Sequence, residues 1–104
     1  MKLNLKERMV ILNILPTEAN FLTLRVVRNM KETLGIADEE FKEMKITEDK
    51  DSGRIKWNEK GAIEKEFELS DKAKEIIRDS LKSLDDVNKL TADHISTYEK
   101  FMEV

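Results

Sequence analysis

Met9-Val10-Ile11-Leu12-Asn13-Ile14-Leu15 is apolar at every position but Asn13, in a chain of 104 residues of which 39% are charged. A helix so apolar on nearly every side must be enclosed by its own fold or by a partner chain. The same run could be a buried strand, because Val10, Ile11 and Ile14 are β-branched, and the sequence leaves that alternative open. Its flanks speak for a helix over 5–15. Upstream, Asn4-x-x-Glu7 reads as a capping box. Downstream, Pro16 pushes Leu15 out of the helical region.

Thr17 then caps a second predicted helix, with Glu18 in its first turn where negative charge suits the dipole. Leu22, Val26, Met30 and Leu34 recur at i+4 as a core-facing stripe, and Arg25, Arg28, Asn29 and Glu32 fall opposite. Gly35 is placed for a left-handed C-cap. A short third helix covers about 38–44. Alternation of apolar and charged residues takes over next, at Met44/Ile46, Ile55/Trp57 and Phe67/Leu69. With turns at Asp51-Ser52-Gly53 and Glu59-Lys60-Gly61, it predicts a three-stranded meander near 44–48, 54–58 and 63–69. Ser70 caps a fourth helix with the stripe Ala73, Ile77, Leu81 and Leu84. Asp85-Asp86 at its end oppose the dipole, so fraying is expected there. Thr91 caps a fifth helix whose stripe is Ile95, Tyr98 and Met102, with Phe101 beside it. The reading is a single α+β domain, residues 1–104, in the order α-α-α-β-β-β-α-α.

Composition excludes several classes. Without cysteine there is no disulfide scaffold, cysteine nucleophile or cysteine zinc site. The charged start, 1–8, resembles a signal start, but the seven-residue apolar run after it is broken by Asn13 and no small-residue cleavage site follows. No stretch is long enough to span a bilayer. A net charge of −3 gives no global field towards nucleic acid or an anionic membrane.

Motifs that carry chemistry are sparse. Glu48 to Glu59 mimics a calcium loop, with Gly53, Ile55 and Glu59 at its sixth, eighth and twelfth positions, but Lys50 stands where an oxygen ligand is required. His94, the only histidine, has Asp93 adjacent in sequence and therefore about 100° away on a helix, and no nucleophile beside it. The acidic pairs at 38–43 and 85–86 lie in charged, solvent-facing contexts. No catalytic residue, metal site or cofactor is assigned. Three helices before a β-ribbon is the order of a winged helix, but its recognition element, Asp38-Glu39-Glu40-Phe41-Lys42-Glu43-Met44, would be repelled by a duplex. Arg25, Arg28 and Asn29 are the residues left for a DNA contact. A solvated helix face, with Glu32 balancing an arginine, is the plainer reading of them.

Partner contacts have more support. Helix 5–15 has more apolar surface than one contact face uses. Phe21 projects on the polar side of the second helix near Arg25 and Arg28, and Trp57 sits on a short strand with an edge to offer. Aromatics and arginine are enriched among interface anchors.

Asn20-Phe21-Leu22-Thr23-Leu24-Arg25, after the Leu15-Pro16 break, and the run from Leu90 to Phe101 resemble small uncharacterised proteins encoded by bacterial phages and prophages. The resemblance implies a bacterial or phage cytoplasmic setting and an accessory, virion-assembly or host-modulating role, without residue assignments. The expectation is therefore a non-enzymatic accessory or structural protein acting through protein contacts, as a homo-oligomer through the first helix, with Leu12, Ile14, Phe21 and Trp57 at the interface. The alternative is a winged-helix-like DNA-binding regulator using Arg25, Arg28 and Asn29.

Overall fold

Asn4 begins the first helix as its sequence predicts: its side chain accepts the Glu7 N–H, and the Glu7 carboxylate accepts the Asn4 N–H, each at 2.9 Å. The computed structural model describes residues 1–102. The five helices are α1 (Leu5–Ile14), α2 (Phe21–Leu34), α3 (Asp38–Glu43), α4 (Asp71–Asp86) and α5 (Ile95–Met102). The run 9–15 is thus helical up to Ile14, and Leu15 takes the extended backbone that Pro16 requires.

α1 is enclosed by its own fold. It packs against α2, α4 and α5, and its Leu5, Val10 and Ile11 are buried. Ile11 and Leu15 join Leu3, Val27, Met30, Leu34, Phe67, Ile77, Leu81 and Phe101 in one core, with Leu12 and Ile14 half-buried against it.

The α+β class holds, but the three-stranded meander is replaced by two separate antiparallel pairs. β2 (Thr47–Glu48) pairs with β3 (Ile55–Lys56). The third expected strand is cut to β4 (Lys65–Glu66), which pairs with an unforeseen N-terminal strand, β1 (Lys2–Leu3). The cause is a 3-10 turn, Glu59–Ala62, capped by the Asn58 side chain, which accepts the Lys60 N–H. It carries the chain away from β3 and across to β1. Gly61 permits the turn to lie against Trp57, since a Cβ there would overlap the indole.

Helix ends also depart from expectation. α2 starts at an Asn20 cap, not Thr17, and the Asn20 side chain accepts the Thr23 N–H at 2.8 Å. Gly35 is extended, at φ −56° and ψ 149°, and is needed for closeness instead: a Cβ would sit 2.7 Å from the Lys31 carbonyl oxygen. α4 is helical through Asp85-Asp86. Asn88 turns left-handed at φ 56°, and the N–H groups of Asn88 and Lys89 close on the carbonyls of Asp85 and Leu84. A 3-10 turn, Ala92–His94, delays the last helix and rotates its phase. Thr97 and Phe101 are buried as a result, and Ile95 is exposed.

Candidate functional site

Charge on this molecule divides into two settings, one buried and one exposed. The buried setting lies at the start of α1. Glu7 and Arg8 are adjacent in sequence, and both are buried. The Lys100 ammonium, reaching from α5, donates to Glu7 at 2.7 Å, to Glu64 at 2.9 Å and to the Lys2 carbonyl at 2.8 Å. Burial disfavours its charge, and the bonds to Glu7 and Glu64 more than offset that, holding its pKa above the ordinary lysine value. Arg8 forms a two-bond fork with Glu40, at 2.6 and 3.1 Å, and donates to the carbonyls of Leu34 and Gly35. Its guanidinium also lies 4.9 Å from the Phe67 ring centroid. The Arg8 bonds hold the Glu40 carboxyl down at about 2, against burial that works the other way. These pairs tie α1 to α3, α5 and β1, and every partner is a structural one.

The exposed setting is the outer face of α2, and its origin is local. After Pro16 the chain runs exposed through 17–20 before Asn20 caps the helix. The buried residues of α2 are Val27, Met30 and Leu34, so its first turn overhangs the core. Phe21 is consequently 80% exposed, Leu22 60% and Leu24 37%. Leu22, expected in the core stripe, is therefore on the surface. Phe21, Arg25 and Arg28 follow i, i+4 and i+7 and share one face, with Leu24 and Lys31 flanking it. None of the ion pairs among the described residues involves Arg25, Arg28 or Lys31, and Glu32 balances neither arginine. Asn29 is exposed as well.

The remaining candidates lie apart from that face. Trp57 is half-buried in a cleft of about 610 Å³ between α1 and the β2–β3 hairpin, facing Met9, Val10 and Ile55. Trp57 follows directly after β3, which pairs with β2 alone. At the rim, Lys6 pairs with Asp93 at 2.9 Å. Ile14 borders a shallow depression with Leu84, Val87 and His94. The His94 ring accepts the Thr91 N–H through Nδ1 at 2.9 Å, so it caps its own 3-10 turn. The calcium-like loop is a hairpin turn: Gly53 is left-handed at φ 69°, and its N–H donates to the Asp49 carbonyl. The Asp49 carboxylate accepts the Asp51 N–H, which lowers its pKa. Among the described residues, no three His, Asp or Glu side chains converge as a metal site, and no helix is long and apolar enough to cross a membrane.

The residues that sequence reasoning missed are Arg8 and Glu40. The capping box flagged Glu7, but nothing local shows that Arg8 points inward. No family model matches the chain, and no curated protein or solved structure is significantly similar to it.

Proposed function

We propose that this chain is a non-enzymatic binding module that works by contacting another protein, as a cytoplasmic accessory or structural protein of the phage-associated kind it resembles. The contact surface is the outer face of the first two turns of α2. One observation carries the reading: Phe21 stands 80% exposed on the helix face it shares with Arg25 and Arg28. Single exposed apolar residues are commonplace, but an aromatic sharing a face with two arginines, with Leu24 at its edge, has the composition of an interface anchor. Leu12 and Ile14, the residues expected for self-contact, are half-buried against the core.

The test is a photo-crosslinking residue at position 21 in the full chain expressed in bacteria. The expected result is a discrete protein adduct that is absent when the crosslinker replaces Glu75, which is exposed on α4. An adduct with a second copy of the chain would make the contact a homo-oligomeric one. A nucleic-acid adduct would overturn the reading in favour of DNA binding through Arg25, Arg28 and Asn29. No adduct at position 21 would overturn it outright.

A further inference from the structure

We infer that residues 36–56, α3 with the β2–β3 hairpin, form a strap that comes off α1 and opens as one cooperative unit while the helical core stays folded, with the Arg8–Glu40 fork as its latch. None of residues 36–60 is buried, whereas α1, α2, α4 and α5 all contribute to the buried interior. Phe41, Met44, Ile46 and Ile55 neither join the core nor pack against it. A segment with so few buried apolar contacts opens at low free energy. Its hydrogen bonds run within itself, so they are lost together. The Ile46 N–H donates to the Phe41 carbonyl at 3.0 Å and the Asp49 N–H to the Arg54 carbonyl at 2.8 Å. Asn58 closes the base, donating to the carbonyls of Met44 at 2.8 Å and Glu43 at 3.0 Å. Among the described residues, the one other outside group hydrogen-bonded to 36–56 is Arg8, through Glu40. Lys45 is left-handed at φ 51°, a strain on a non-glycine residue that opening relieves. Arg8 stays behind when the latch parts, because it also donates to the Leu34 and Gly35 carbonyls and lies on the Phe67 ring. Glu40 leaves with the strap, where its carboxylate already accepts the Ala37 N–H. The hairpin is one wall of the cleft that holds Trp57, and α1 is the other, so opening widens the cleft and uncovers Met9 and Val10.

The test is native-state hydrogen exchange of the labelled full chain, read by amide NMR across low urea concentrations. After correction for intrinsic rates, the hydrogen-bonded amides of Met44, Ile46 and Asp49 should exchange at one common rate. That rate should be roughly a hundredfold or more above those of Ile77 and Leu81 in α4, and should respond less to urea, because a partial opening exposes less surface. Glu40→Gln weakens the latch by about one charge-assisted bond, so the strap amides should speed up by roughly tenfold or more. Glu39→Gln removes the same charge from an exposed side chain beside it and should leave them within about threefold of wild type. The wild-type comparison needs no variant and decides the unit by itself. Three results would overturn the inference. Strap and α4 amides exchanging together would mean that the segment opens only with the whole chain. Rates scattered over decades within 41–49 would mean local fraying instead of a unit. Equal responses to Glu40→Gln and Glu39→Gln would remove the latch.

Discussion

Arg8 and the pair Arg25/Arg28 are the same residue type on consecutive helices, and they do opposite things. Arg8 is buried and makes four hydrogen bonds, to Glu40, Leu34 and Gly35, together with a ring contact to Phe67. Arg25 and Arg28 are exposed and make no ion pair among the described residues. A buried charge has lost its water and must be repaid by the protein, so its partners are fixed by the fold. An exposed charge keeps its water at no cost to folding and stays available to a second molecule. The comparison teaches that the charges at the start of α1 are held by partners the fold supplies, whereas those on the outer face of α2 are left to solvent.

The sharpest way to break this contrast is Arg8→Ala. It strands the Glu40 carboxylate and two backbone carbonyls, and unfolding free energy should fall by about 3–5 kcal/mol, read by urea denaturation. A loss below about 1 kcal/mol would show that the buried pair is not structural.

Acid gives an independent view of the same region. Glu40 is held at about 2 in the fold against 4.5 ordinarily. A depressed carboxyl lends stability that is fully present above pH 4.5 and drains away as the pH falls towards 2. Glu40→Gln cannot titrate, so the stability gap between it and the wild type should narrow steadily over that window. A gap independent of pH would show that the Arg8 bond does not stabilise the ionised form.

Thr97 supplies an intermediate case, a buried polar group without a partner. Its hydroxyl oxygen is enclosed and finds no hydrogen bond among the described residues. Thr97→Val keeps the shape and removes the orphaned group, and should raise stability by about 1 kcal/mol. The thermal midpoint should rise with it; a drop would mean that the hydroxyl has a partner after all.

The smallest effect is expected where function is proposed. Arg25→Ala/Arg28→Ala should change stability by no more than about 0.5 kcal/mol, since neither side chain is buried or paired. A large loss would reclassify the face as structural and remove the argument for a ligand there.

Much of this architecture was legible from local chemistry. The Asn4/Glu7 box, the Pro16 break and the Ser70 cap act within a few residues of themselves, so sequence spacing reports them faithfully. The errors fall where distant residues decide. Alternation at 63–69 marks a strand but cannot name its partner, and β1 took the place of β3. Thr17 and Asn20 are both competent caps, and which of them starts α2 determines how far the helix overhangs the core. Of the candidate site, Phe21, Arg25 and Arg28 were readable as a group because helical periodicity joins them. The exposure of Leu22 was not, since its spacing matches the buried stripe.

By itself, the sequence determined five helical segments, the Asn4 and Ser70 caps, the α+β class and the shared face of Phe21, Arg25 and Arg28, because hydrogen bonds and periodicities spanning three or four residues settle those features. Only the tertiary structure decided that Glu7 and Arg8 turn inward, that β4 joins β1, that α1 is covered from within and that the first turn of α2 stands clear of the core. Each of these depends on groups tens of residues apart meeting in space, and on whether burial there removes water that only a distant partner can replace.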